Sequence, residues 1–143
     1  MKNERIKLFL VDDDAVFLKS LEIDFMQSAD FTIETYATGE LCMTNLSHSP
    51  DVIILDYFLD GIDKNAMNGI QTLDKIKSYN SDIPVIILSS QDKIEVAIDC
   101  MHHRAFDYVV KSETAFIRLQ KIITTLFTYK KMEKELKWYM ERM

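Results

Sequence analysis

Short apolar runs alternate along the chain with stretches in which apolar residues recur every three or four positions. Ile6-Lys-Leu-Phe-Leu-Val11 predicts a first strand, and Phe31-Thr-Ile-Glu-Thr-Tyr36, alternating and rich in β-branched and aromatic residues, a second. Val52 to Asp56, Pro84 to Leu88 and Phe106 to Val110 predict three more. Between them, Val16, Phe17, Leu18, Leu21 and Phe25 fall at helical spacing. Thr38-Gly-Glu-Leu opens a short helix to about Leu46, which Ser47-His-Ser-Pro50 ends. Ile70, Leu73, Ile76 and Lys77 begin a third helix, and Ile94, Ala97, Ile98 and Met101 mark one face of a fourth. Five strand–helix alternations imply an α/β three-layer sandwich, a parallel sheet with helices on both faces.

Two features depart from this rhythm. Residues 57–68 read as a long loop. Residues 113–143 contain no Gly or Pro, and carry apolar residues at Leu119, Ile122, Leu126, Tyr129, Leu136, Met140 and Met143. That spacing, interrupted at Glu133, predicts one extended C-terminal helix, roughly 45 Å long if continuous at about 1.5 Å per residue.

The chemistry gathers where the strands end. In an open parallel sheet, ligands bind outside the carboxyl ends of the strands. Asp12, Asp13 and Asp14 follow the first strand, Asp56 closes the third, Ser89 follows the fourth and Lys111 the fifth. Each has an ordinary alternative: helix capping for the Asp and Ser residues, solvent exposure for Lys111. Three consecutive carboxylates exceed what capping needs, and repel one another unless a cation lies among them. A hard divalent cation, Mg²⁺ or Mn²⁺, takes oxygen ligands; Asp13 and Asp56 suit it, with Asp12 holding a metal-bound water. A carboxylate can attack a phosphoryl group to give an acyl phosphate, with Lys111 and Ser89 neutralising and orienting the incoming oxygens. Asp56 is the expected nucleophile.

Composition narrows the classes. A hydrophobic content of 48%, a charged content of 28% and 143 residues fit one globular domain with a real core. A net charge of -6 argues against nucleic acid or a membrane surface as partner. Residues 1–110 hold nine Lys/Arg and nineteen Asp/Glu, so the acidic excess lies in the part that would hold a cation. Cys42 and Cys100 form no metal-like pair and are expected to be buried free thiols. No apolar run reaches the roughly 18 residues of a membrane span, and no signal peptide is read at the N-terminus; a cytoplasmic location is expected.

The chain resembles the receiver domains of bacterial response regulators over about residues 5–125. Leu10-Val-Asp-Asp-Asp14, Ile54-Leu-Asp56, Met67-Asn-Gly69, Pro84-Val-Ile-Ile-Leu-Ser89 and Asp107-Tyr-Val-Val-Lys111 carry the likeness. The resemblance implies a flavodoxin-like (βα)5 fold with strand order 2-1-3-4-5. It implies phosphoryl transfer to Asp56 from a histidine kinase or histidine phosphotransfer protein. It assigns Asp13, Asp56 and the Phe58 backbone carbonyl to Mg²⁺, and Ser89 and Tyr108 to a conformational switch. Such a protein is a signalling phosphoacceptor rather than an enzyme, assisting only its own phosphorylation and dephosphorylation.

Departures from the family pattern are local. Asp60 stands where the family has Pro, Ile62-Asp-Lys-Asn-Ala66 reads as an insertion, and Ser112 replaces the Pro that usually follows the Lys. Longer loops are tolerated at little cost. The sharper expectation is that Asp60 or Asp63 approaches the metal or screens Asp56 from water. Phe58, beside the route of attacking water, points to slow self-hydrolysis.

Two rival readings compete with this one. Asp12-Asp-Asp14-Ala-Val16 fits the opening of a haloacid-dehalogenase-like phosphatase, with Asp12 as nucleophile and Asp14 as acid/base. That reading leaves Asp56 without a role and finds no Asp after Lys111 to complete its metal site. A flavin- or nucleotide-binding module lacks a glycine-rich phosphate loop among only three glycines. His102 and His103 are adjacent, face different ways on a helix and are expected at the surface. Residues 1–125 are expected to form the receiver and 126–143 a helical extension. That extension is either the tail of a stand-alone regulator or the start of a linker in a longer protein. Tyr129, Leu136, Trp138, Tyr139 and Met140 give it an apolar surface suited to a second copy in a helical dimer.

Overall fold

A computed structural model describes residues 5–143. Five strands, β1 (Ile6–Val11), β2 (Phe31–Tyr36), β3 (Val52–Asp56), β4 (Val85–Ser89) and β5 (Asp107–Val110), form one parallel sheet in the order β2-β1-β3-β4-β5. Helices α1 (Ala15–Met26), α2 (Gly39–Thr44), α3 (Gly69–Tyr79) and α4 (Ile94–His102) alternate with them, and a single 3-10 turn, Leu46–His48, follows α2. The flavodoxin-like order expected from the resemblance is the order found.

The central strands behave as their composition requires. Every residue of Val52–Asp56 and Val85–Ser89 is buried, as both-face burial in a parallel sheet demands. Phe9, Val11, Ile53, Leu55, Val85 and Ile87 pack with Leu59, Leu73, Ile76 and Cys100 in one apolar cluster. Cys42 and Cys100 are both buried free thiols; burial pushes Cys42 up to about 12.

Register does the positioning. Val11 lies level with Leu55, Asp56 with Leu88, and Ser89 with Val110. One residue further along each strand therefore brings Asp12 beside Asp56, and Ser89 and Lys111 to the same edge. The loops obey local chemistry. Asp14 caps α1 by accepting from the N–H groups of Val16 and Phe17, and Thr38 caps α2 by accepting from Leu41. Asn68 and Gln71 form a reciprocal capping box at α3.

Two expectations about helix faces need correction. The stripe Ile94, Ala97, Ile98, Met101 does not turn inward: Ile94 is 71% exposed, Ile98 and Met101 are exposed, and Val96 and Cys100 face the core instead. Both sides of α4 carry apolar residues, so spacing alone could not say which side is buried. Val16 is likewise exposed, and α1 packs through Leu21 and Phe25.

The C-terminal segment is a separate compact unit, residues 113–143, built on helix α5 (Ala115–Glu141). The helix runs unbroken through residue 126. Ala115, Leu119, Ile123 and Leu126 are its buried residues. Beyond them an exposed apolar stripe runs Tyr129, Met132, Leu136, Tyr139, so it passes through Met132 and is not interrupted at Glu133. Among the described residues, no helix is long and apolar enough to cross a membrane.

Candidate functional site

The three carboxylates Asp12, Asp13 and Asp56 converge at the sheet edge, each offering an oxygen within 4.8 Å of the others. Asp56 is 3% exposed and Asp12 2%. Lys111 reaches both, with Nζ 2.9 Å from Asp12 Oδ2 and 3.5 Å from Asp56 Oδ1. Beyond this contact with Lys111, Asp12 Oδ2 has no hydrogen-bond partner among the described residues. Asp12 Oδ1 accepts from the Asp14 N–H at 2.9 Å, and Asp56 Oδ1 from the Phe58 N–H at 3.3 Å.

One lysine does not balance these carboxylates. Burial, and then the negative charge of Asp12, push Asp56 up to about 8, against the pull of Lys111 and the Phe58 N–H. Lys111 itself is raised: burial works against its charge, and Asp12 and Asp56 more than offset it. A divalent cation fits this donor set. It would relieve the repulsion, and the buried Asp12 Oδ2 could accept from a water it carries.

Gly69 explains the Met67-Asn-Gly69 motif. A Cβ there would lie 2.5 Å from the Asp56 carbonyl oxygen and 2.7 Å from Tyr57 Cα, so a side chain would displace the backbone that carries Asp56. The Gly69 N–H donates to the Tyr57 carbonyl at 3.0 Å, closing the loop onto β3.

Ser89 is fully buried at the end of β4, and its Oγ accepts from the Gln91 N–H at 3.0 Å. Tyr108 Oη donates to the Gln91 carbonyl. Tyr108 is partly buried and packs against the apolar cluster. Gln91 thus joins the two residues expected to switch.

Several participants escaped the sequence reading. Phe17 lies under Lys111 Nζ, 4.7 Å from ring centroid to nitrogen, where its face favours a cation. Gln91, and Gly61, whose N–H donates to Asp13 Oδ2, act through backbone groups, which carry no residue-type signal. Neither Asp60 nor Asp63 belongs to the carboxylate group. Asp63 is exposed and accepts from the Asn65 N–H at 3.0 Å within its own turn. His103, expected at the surface, is partly buried and contacts Asp74 at 2.7 Å and Asp99 at 3.6 Å; it is not paired with His102.

A doubly wound parallel sheet with a carboxylate triad, a lysine and a buried hydroxyl at its carboxyl edge defines a phosphoryl-handling α/β protein. Residues 8–124 match the response regulator receiver domain, and the chain belongs to that family, the receivers of two-component signalling. A protein-glutamate methylesterase/protein-glutamine glutaminase of Clostridium acetobutylicum is 37% identical over 118 residues, 79% of this chain and 32% of that protein. The transcriptional regulatory protein QseB of Haemophilus influenzae is 27% identical over 129 residues, 87% of this chain and 55% of QseB. The chain thus spans about half or less of these curated relatives. Among solved structures, the BeF3-activated DrrB receiver domain shares 25% identity with a TM-score of 0.73, covering 85% of this chain and 97% of that one. A CheY-like receiver domain protein from Methanospirillum hungatei, 19% identical with a TM-score of 0.76 over 90% of this chain and 99% of that one, shares the fold. Nothing in these comparisons supports the phosphatase reading. Its proposed acid/base, Asp14, is exposed and engaged in capping α1.

Proposed function

We propose that Asp56 is the phosphoacceptor of this receiver and that Asp13, Asp56 and the Phe58 carbonyl hold Mg²⁺ or Mn²⁺, with Asp12 on a metal-bound water. The observation that carries this reading is the clustering of three carboxylates at one sheet edge, two of them buried and in contact with the same lysine. The cation, when bound, neutralises phosphoryl oxygens and lowers the charge that otherwise favours a protonated Asp56. The donor is a phosphohistidine on a kinase or phosphotransfer protein. An Asp56 carboxylate oxygen attacks phosphorus, the P–N bond breaks, and the imidazole leaves with the electron pair and takes a proton. Lys111 and the Ser89 hydroxyl donate to the transferred oxygens.

The switch runs through Gln91. If the Ser89 hydroxyl turns toward the phosphoryl group, its acceptor bond with the Gln91 N–H changes, and Tyr108, held by the Gln91 carbonyl, changes with it. The receiver is then a phosphoacceptor whose own chemistry is the formation and loss of its acyl phosphate. The test is incubation with a small phosphodonor and Mg²⁺, read by intact mass. Wild type should gain one phosphoryl group, and Asp56→Asn none; an equal gain in both would end the assignment.

A second reading concerns output, with residues 1–125 as receiver and 126–143 as extension. Tyr129, Met132, Leu136 and Tyr139 recur on α5 at spacings of three and four and are all exposed, the pattern of a two-helix seam. Lys130, Lys131, Lys134 and Lys137 fall outside that stripe. The proposed partner is a second copy. Light scattering should give a dimer for the full chain and a monomer without residues 126–143; two monomeric samples would contradict it.

A further inference from the structure

The loop after β3 reaches the acidic site by its backbone, at the residue just before the five inserted ones. The Gly61 N–H donates to Asp13 Oδ2 at 3.1 Å, across 48 positions of sequence. A Cβ at this position would sit 3.1 Å from that same oxygen, close enough that the carboxylate would have to shift slightly. The loop is fixed on both sides of this bond. Leu59, 1% exposed, is set in the apolar cluster. The Met67 N–H donates to Glu40 Oε2 at 2.9 Å. Between them Asp63 closes a turn, accepting from Asn65 by its side chain and from Ala66 by its carbonyl. The strap from 59 to 67 therefore presents backbone donors to two carboxylates of other elements, one following β1 and one on α2.

Asp13 is only half-buried, and without a partner its carboxylate would rotate. A bond from a fixed donor selects one orientation and leaves the second oxygen for another ligand. We propose that the Gly61 N–H is a positioning group for the cation site: it holds Asp13 by one oxygen, and cation binding in turn tightens the strap. The proposal rests on Asp13 being a metal ligand. It gives the loop that the insertion lengthens a role in cation affinity through its backbone, independent of the Asp60 and Asp63 side chains. The coupling is reciprocal: whatever the strap adds to cation binding, the cation adds to strap order.

The chain has three glycines, so their amide signals can be followed individually by nitrogen-15 NMR. Gly69, whose N–H is bonded to Tyr57 and not to a carboxylate, is the internal control. Saturating Mg²⁺ should slow hydrogen exchange at Gly61 severalfold and leave Gly69 nearly unchanged. Asp13→Ala without metal should speed exchange at Gly61 alone. Gly61→Pro, which lacks the N–H, should bind Mg²⁺ roughly tenfold more weakly, whereas Ile62→Ser at the exposed tip should bind as wild type. Gly61 exchange indifferent to Mg²⁺ that demonstrably binds would overturn the proposal, as would wild-type affinity in a folded Gly61→Pro. Absence of Mg²⁺ binding by wild type would overturn the metal-site reading beneath it.

Discussion

The tetrapeptide Val-Ile-Ile-Leu occurs twice, at 52–55 and 85–88, and both copies become fully buried strands of one sheet. Their continuations differ. The first ends in Asp56 and leads through an anchored loop to α3, which has a capping box and buries Gly69, Thr72, Leu73, Ile76 and Lys77. The second ends in Ser89 and leads to α4, which has no side-chain cap and buries Cys100 alone. The same tetrapeptide thus leads to one helix with a capping box and five buried residues, beside the proposed acceptor, and to one with no side-chain cap and a single buried residue, beside the proposed switch. Local stability is not uniform, and elements that move are drawn from its low end. The strand sets where chemistry sits, while capping and buried apolar area in the next helix set how freely it can respond.

The contrast between the two units is most exposed to test at the helix–core contacts. Ile76→Ala on α3 should destabilise by about 2–5 kcal/mol, as large-to-small core changes do. Cys100→Ala on α4 should cost about 1 kcal/mol, a typical single-substitution value. Urea unfolding of the two variants measures both, and equal losses would erase the distinction.

Capping gives a smaller contrast. Asn68→Ala removes the acceptor of the Gln71 N–H and should cost about 1 kcal/mol. Lys93 has the extended backbone of an N-cap residue but makes no capping bond. Lys93→Ser should therefore stabilise α4 by about 0.5–1 kcal/mol, seen as slower hydrogen exchange in that helix. No gain there would mean that something other than the missing cap loosens α4.

The smallest expected effect is a pH dependence at the end of α4. His103 contacts Asp74 on α3 at 2.7 Å. Its pKa is raised, first by the bond to Asp74 and then by the charges of Asp74 and Asp99, against the opposing effect of burial. A folded-state pKa above the unfolded value of 6.5 contributes stability fully present below that value and lost as pH rises through the raised one. Exchange at the last turn of α4 should accordingly quicken with rising pH beyond its intrinsic dependence. His103→Gln should remove the excess.

Much of the fold and site was legible in the residues alone. Fully apolar runs marked β3 and β4, and the residues ending each strand named Asp12, Asp56, Ser89 and Lys111 as neighbours, because a parallel register carries strand ends to one edge. The inward side of α4 was not legible, because Ile94, Ile98 and Met101 compete with Val96 and Cys100 for burial. Nor were the contributions of Gly61 and Gln91, which act through peptide groups common to nearly every residue. The cation–π contact of Phe17 with Lys111 required the fold, since the two lie far apart in sequence.

The central claim is the identity of the acceptor. After phosphorylation with a small phosphodonor and Mg²⁺, borohydride reduction of the acyl phosphate and then peptide mapping locate the modified residue. Conversion of position 56 to homoserine, with Asp12, Asp13 and Asp14 intact, is the predicted result. Conversion at position 12, or at any residue other than 56, would contradict it.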